Sequence, residues 1–200
     1  MGKETEGTEM KLAILTGAGI SVESGIPTFR DDDGVWSKYD MEEVCTAKAL
    51  RTNPQAVFDF CNYIRTGFAN KKPNKAHKAL AKLEKYHNVT IITQNIDELH
   101  EAGGSTNVIH MHGMLNKSIC KKCGIIKDMG TRDYVVGEKC TDCKKGKIRS
   151  HMIMFNENIL QQAEIDKAIA ECDMYVAIGT SHNVYPAASY VDDANAKGIE

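Results

Sequence analysis

An apolar stretch, Leu12-Ala13-Ile14-Leu15, runs straight into Thr16-Gly17-Ala18-Gly19-Ile20-Ser21, and no other part of the chain restricts the fold as sharply. Four apolar residues in a row read as a buried strand, and the small residues after them stand where a helix can begin. Glycine permits positive φ and close backbone approach, so Gly17 and Gly19 can turn tightly around a pyrophosphate. A helix opening there would aim free N–H groups and its positive dipole end at the anion. The residues point to a phosphate-bearing ligand at a strand-to-helix turn, the alternative being a tight turn with no ligand. A dehydrogenase-type dinucleotide site fits poorly. That fingerprint needs G-x-G-x-x-G and an acidic residue ending a second strand. Here the third position is Val22, and a polar loop, residues 30–36, follows with no strand behind it.

Two hundred residues, 42% hydrophobic and 26% charged, make one core of ordinary size with room for a small insert. Apolar residues at three- and four-residue spacing predict a helix over Pro54–Phe68, capped by Asn53 with proline at its first position. A second helix is expected from Asn74 to Tyr86, burying Ala76, Ala79, Leu80 and Leu83, with His77 in packing or at the surface. Val89–Thr93, Val108-Ile109 and Met174–Gly179 read as short buried strands. A last helix, about Ala187 to Lys197, ends at Gly198. Strands alternating with helices predict an α/β fold, a Rossmann-like parallel sheet with helices on both faces. Residues 120–149, rich in Lys, Gly and Cys, interrupt it as an inserted module. The expected division is therefore a flexible tail over 1–10, a main domain over 11–119 and 150–200, and the module between.

The net charge of −2 gives no reason to expect nucleic acid as a partner. No apolar run approaches the roughly 20 residues that cross a bilayer, so no membrane partner is expected. The polar N-terminus lacks a signal peptide, and Glu6 stands where a myristoylation motif needs Ser or Thr. Reduced thiols and a cytoplasmic location follow as expectations. Four of the seven cysteines form Cys120-x2-Cys123-x16-Cys140-x2-Cys143. Two intervening residues let one turn present both sulfurs to a tetrahedral ion, and the longer separation closes the loop between the turns. The spacing predicts one structural Zn2+, its shell filled by four thiolates with no position left for a catalytic water. Cys45, Cys61 and Cys172 read as buried thiols.

Three further groups stand at strand ends. Gln94-Asn95-Ile96-Asp97 follows a strand at the edge where open α/β sheets bind ligands, though Asn and Asp there also cap helices. His110-Met111-His112 holds two histidines, either suited by an ordinary pKa of about 6.5 to act as a general base. Spacing alone does not choose between them. Gly179-Thr180-Ser181 offers small hydroxyl residues to a ribose or phosphate, or a turn before Pro186.

Taken together, the run Leu15–Arg30, Gln94-Asn95-Ile96-Asp97, His112-Gly113, the paired Cys-x-x-Cys, Gly179-Thr180-Ser181 and Val184-Tyr185-Pro186-Ala187-Ala188 resemble, in order and spacing, the sirtuins, NAD-dependent protein-lysine deacylases. The resemblance runs from about residue 11 to the end. It implies NAD as a consumed cosubstrate, with Gly17, Ala18 and Gly19 along its phosphates and Phe29 and Arg30 beside the nicotinamide ribose. Gln94, Asn95 and Asp97 would hold ribose and nicotinamide, and Gly179, Thr180 and Ser181 would touch the nucleotide. The implied catalytic set is His112, the proton acceptor, with Asn95 and Asp97. Phe155, Asn156 and Val184 would contact an acyl-lysine protein or peptide, the loop at Phe155-Asn156-Glu157 pairing with it as an added strand. The implied reaction begins with the acyl-lysine oxygen displacing nicotinamide from the ribose. His112 then draws a proton from the ribose hydroxyls, and free lysine and an O-acyl-ADP-ribose result.

Departures from the family pattern sharpen the expectation. Members that prefer negatively charged acyl groups carry a Tyr-x-x-Arg pair where Cys61 and Ile64 stand here, which favours plain deacetylation. Asn156 replaces a glycine common in the peptide-pairing loop, and Ser150 a usual proline. The family continues beyond Glu200 with a strand and an adenosine-binding loop, so a C-terminally shortened chain is expected. Competing readings are a catalytically weak NAD- or ADP-ribose-binding module, a mono-ADP-ribosyltransferase and, from the lysines of the cysteine module, a nucleic-acid binder. The sequence does not set the oligomeric state.

Overall fold

The computed structural model describes residues 8–30, 32, 34–181 and 185–199. Strands β1 (Lys11–Thr16), β2 (Asn88–Thr93), β3 (Val108–His110) and β7 (Met174–Ile178) form one parallel sheet in the order β3-β2-β1-β7. Being central, β1 and β2 are covered on both faces, which is why they read as continuous apolar runs. Alternate residues serve different layers. Ile14 and Ile91 pack with Leu80 of α4 (Lys75–Leu83), whereas Leu15 and Ile92 pack with Ile165 and Ile169 of α6 (Gln162–Glu171) and Tyr190 of α7 (Tyr190–Ala196). Helices thus cover both faces, as the alternation of elements predicts.

Between β1 and β2 the chain also forms α1 (Met41–Val44), α2 (Ala47–Thr52) and α3 (Pro54–Phe68), and α5 (Leu99–Gly103) links β2 to β3. Helix α3 has the expected bounds, with Asn53 Oδ1 accepting from the Ala56 N–H at 3.4 Å. Helix α4 ends at Leu83, three residues short of expectation, and Ala79 is exposed. His77 and Leu80, one turn apart, centre its inward face instead. The last helix is split, a 3-10 turn over Ala187–Ser189 preceding α7. After Gly17 the chain forms a seven-residue 3-10 helix, Ala18–Ser24, rather than an α-helix. Gly19, Ile20, Ser21, Val22 and Ser24 are poor helix formers.

The cysteine-rich segment forms a small antiparallel sheet, β5-β4-β6, from β4 (Lys117–Cys120), β5 (Ile126–Asp128) and β6 (Ile148–Ser150). It begins three residues before the expected boundary and takes in Ser150. Its interior is shared: Met129 and Tyr134 join Val57, Phe58, Cys61 and Ile64 of α3 in one apolar cluster with Leu115, Met152 and Met154. The module is packed against α3 and does not hang free. Among the described residues, no helix is long and apolar enough to cross a membrane.

Candidate active site and metal centre

Because the main sheet is parallel, the carboxyl ends of its four strands open on one edge. Gly17 follows β1, Gln94 and Asn95 follow β2, His112 follows β3 and Gly179 to Ser181 follow β7. These residues line a cleft of about 380 Å³ that Phe29, Arg30, Phe155 and Asn156 close from the other side.

Glycine is required here for a chain crossing. A Cβ on Gly17 would lie 2.6 Å from the Gly179 carbonyl oxygen, and one on Gly19 would lie 2.9 Å from it. Gly179 itself has φ +64°. The Gly17 N–H donates to Ile178 O at 3.0 Å and the Gly19 N–H to Gly179 O at 2.9 Å. The two glycine N–H groups are therefore committed to the end of β7 and the residue after it. Gly17, Ala18 and Gly19 still line the cleft.

Amide side chains tie the loops together. Asn95 Nδ2 donates to Gly17 O at 3.1 Å, and Gln94 Nε2 donates to Thr180 Oγ1 at 3.0 Å. Asp97 stands behind the wall, outside the lining. Its Oδ2 accepts from Ser21 Oγ and its Oδ1 from the Leu99 N–H, both at 3.0 Å. Burial pushes its pKa up, against those two bonds.

The two histidines differ in what they have left to offer. His110 is buried with both nitrogens engaged: Nδ1 faces Asn95 O at 3.2 Å and Nε2 faces Glu101 Oε1 at 2.7 Å. His112 lines the cleft, and its Nδ1 lies 2.9 Å from Gln94 O. A carbonyl only accepts, so Nδ1 carries the proton and Nε2 keeps a lone pair. Burial, together with the charge of Arg30, holds the His112 pKa below its ordinary value despite the Gln94 carbonyl. Near neutral pH the ring is uncharged and basic at Nε2.

On the far side, Phe155 is already paired in a parallel bridge with Thr46: its N–H donates to Cys45 O at 2.8 Å and its carbonyl accepts from Ala47 N–H at 3.2 Å. Asn156 has φ +68°, a left-handed conformation that glycine favours and asparagine tolerates better than most residues. Val184 lies outside the described residues.

Sequence reasoning missed the brace behind this segment. Arg149 makes a two-pronged ion pair with Glu157, at 2.6 and 2.8 Å, and donates to Met152 O at 2.6 Å. Neither partner belongs to a recognisable motif. Ser21, buried against Asp97, was contained in the glycine-rich run but carried no signal of its own.

Cys120, Cys123, Cys140 and Cys143 present sulfurs within 4.8 Å of one another. The Cys120–Cys143 and Cys123–Cys140 separations are 3.7 and 3.8 Å. A Zn–S bond of about 2.3 Å puts the corners of a regular tetrahedron about 3.8 Å apart. The geometry fits. N–H groups of Gly146 and Lys145 bring the Cys143 pKa down to about 6. At Cys123 the Ile125 N–H also favours the thiolate, yet the neighbouring sulfurs push that thiol up to about 12. Four thiolates this close repel one another, and a divalent cation relieves that repulsion. Cys45, Cys61 and Cys172 are buried free thiols, as expected.

A parallel sheet with a ligand cleft at its carboxyl edge, a histidine on the cleft wall and a four-cysteine cluster in a small second sheet is the setting of a nucleotide-dependent enzyme with a structural metal. The Sir2 family model matches residues 17–186, and the chain belongs to that family. A Caulobacter vibrioides NAD-dependent protein deacylase is 44% identical over 196 residues, covering 95% of this chain and 82% of the relative. A Vibrio parahaemolyticus NAD-dependent protein deacylase is 46% identical over 192 residues, covering 94% and 79%. Among solved structures, a Sir2 homologue variant in complex with ADP-ribose superposes with a TM-score of 0.85 at 34% identity, over 99% of this chain and 82% of that one. A Sir2 variant with a deacetylated p53 peptide and acetyl ADP-ribose gives a TM-score of 0.81 at 32% identity, over 94% and 79%. The mixed lining of the cleft, hydroxyl and amide groups with Phe29 and Ile159, fits a nucleotide such as NAD.

Proposed function

We propose that the chain is an NAD-dependent protein-lysine deacylase with His112 as its proton acceptor and a preference for acetyl over charged acyl groups. The relatives' activity supports deacylation over the binding-module and ADP-ribosyltransferase readings. One observation carries the role of His112: the Nδ1–H bond to Gln94 O leaves Nε2 basic at the cleft, whereas His110 has no nitrogen to spare. NAD, when bound, would supply an electrophilic ribose carbon with nicotinamide as its leaving group, and a ribose hydroxyl to take the acyl group. The chain's own residues position and move protons. Gln94 and Asn95 fix the strand-end loops, Arg30 helps keep His112 neutral, and Thr180 and Ser181 place hydroxyl groups on the cleft wall. Asp97 holds Ser21 and the start of α5, so its reading here is as a support for the wall. Zinc, held by the four cysteines, closes the small sheet and takes no part in chemistry. Acylated lysine in a protein or peptide enters beside Phe155 and Asn156. We keep the division into a main domain and an inserted module, and a cytoplasmic location, which the four-thiol centre favours because it needs reduced cysteines.

The test compares two variants. His112→Ala is expected to retain NAD binding and lose turnover by about 10²–10⁴-fold, the range for a missing general base. His110→Ala is expected to be far milder. The reverse order would exchange the two roles.

A further inference from the structure

Six lysines of the cysteine-bearing segment enter no ion pair among the described residues. The segment from Lys117 to Ser150 holds ten Lys and Arg against four Asp and Glu, while the whole chain is −2, so the remainder carries −8. Each acid in the segment already has a basic partner: Asp128 with Lys117, Asp133 with Arg65, Glu138 with Arg132 and Asp142 with Lys127. Arg149 is committed to Glu157. Lys121, Lys122, Lys139, Lys144, Lys145 and Lys147 are exposed and, among the described residues, enter no ion pair. Zinc on four thiolates returns some negative charge to the segment but leaves it basic.

The register gathers these lysines. The pairing of β4 with β6 sets Ile119 opposite Arg149 and Cys120 opposite Ile148. One step further, the Lys121 N–H donates to Lys147 O at 3.0 Å, and Lys147 in turn bridges Lys139 in antiparallel fashion. Residues directly opposite share a face with Cβ atoms about 5 Å apart, and like charges placed so are destabilising. Three lysines therefore stand side by side just past the ends of β4 and β6, at a cost to stability. Arg149, two residues beyond Lys147, lies on the same face and holds Glu157, which lines the cleft. Against the effect of burial, Lys121 adds to the pull of Arg149 in keeping the Glu157 carboxyl below its usual range. Lys121 thus stands at the end of the row within electrostatic reach of the cleft edge.

We propose that this lysine row is a docking surface for an acidic segment of the protein substrate, flanking the acyl-lysine in the cleft. The proposal rests on the deacylase reading and adds a substrate class to it. Polypeptide is favoured over nucleic acid. Tyr134, the one aromatic residue of the segment, is buried, so no ring is offered for base stacking. The −8 on the rest of the chain repels a long polyanion, whereas a short acidic segment meets mainly lysines.

The test uses the full chain and two fluorescent acetyl-lysine peptides of equal length, one flanked by Asp and Glu, the other by Asn and Gln. Affinity is read by anisotropy and KM by turnover. The acidic peptide is expected to bind about tenfold tighter at low salt, the sum of a few exposed contacts, and to lose most of that advantage by about 0.5 M salt. A K121Q/K139Q/K147Q variant that keeps its zinc should erase the advantage and leave kcat and the neutral peptide's KM unchanged. If that variant loses zinc, the salt dependence of the unmodified chain decides. Equal affinities at low salt, or an advantage that survives high salt or the substitutions, would overturn the proposal. Duplex DNA bound through the same lysines, with no acidic-peptide advantage, would assign the face to nucleic acid. Binding without any deacylation would instead defeat the deacylase reading, while the affinity ratio still judges the docking surface.

Discussion

His112 shows how one hydrogen bond sets a chemical role. The Gln94 carbonyl fixes the proton on Nδ1, and burial lowers the pKa, so the basic nitrogen is uncovered at a lower pH than in a free imidazole. With His112 as the proposed base, deprotonation activates it, so kcat/KM is expected to rise with pH along an acid limb centred below about 6.5 and to level off above it. An acid limb centred above the ordinary histidine pKa of about 6.5 would contradict this assignment. Little of it was legible in the sequence, where His110 and His112 are equally plausible bases. What separates them, the carbonyls of Gln94 and Asn95 and the carboxylate of Glu101, comes from neighbouring elements. Asp97 reads as a ligand-contacting acid in the motif, and the structure adds that its oxygens accept from Ser21 Oγ and the Leu99 N–H.

At the scale of elements, legibility follows burial. Strands β1, β2 and β7 and helix α3 announce themselves because each has a long apolar run or a wide apolar face. Helix α6 does not, since it buries only Ile165 and Ile169 among alanines and polar residues. Nor do β5 and β6, which are three residues long and too short to show a period of two. In the small sheet the metal takes the place of a core of its own. Four cysteines were readable because their spacing is fixed by coordination geometry, not by packing. One zinc per chain is expected, and Cys140→Ala should remove it and lower thermal stability markedly, since folding and metal binding share one free energy in such sites. The measurement is elemental analysis alongside a melting curve. A folded, reduced preparation without zinc would contradict the metal assignment.

For the molecule as a whole, the cleft lies between two layers of different character. The parallel sheet supplies Gln94, Asn95, His112 and Thr180 from its carboxyl edge, and Phe29, Trp36, Met154 and Phe155, which pack on the apolar cluster around α3, supply the opposite wall. That second wall bears on acyl choice. Cys61 and Ile64, at the positions that hold Tyr and Arg in members preferring charged acyl groups, are buried in the shared apolar cluster. Arg65, the nearest basic residue on α3, is turned away to Asp133 at 2.7 Å and Gly130 O at 3.1 Å. A succinyl carboxylate brought to this wall would be desolvated without a partner, which costs several kcal/mol, or about a hundredfold or more in rate. The central claim, lysine deacylation at the expense of NAD, is tested most directly by a mass balance. The full chain is incubated with NAD and either an acetyl- or a succinyl-lysine peptide of the same sequence, and nicotinamide, peptide mass and O-acyl-ADP-ribose are counted. The account predicts one nicotinamide and one O-acyl-ADP-ribose per lysine freed, with kcat/KM about a hundredfold higher for acetyl. Nicotinamide released while the peptide keeps its acyl group, or gains the mass of ADP-ribose, would contradict it.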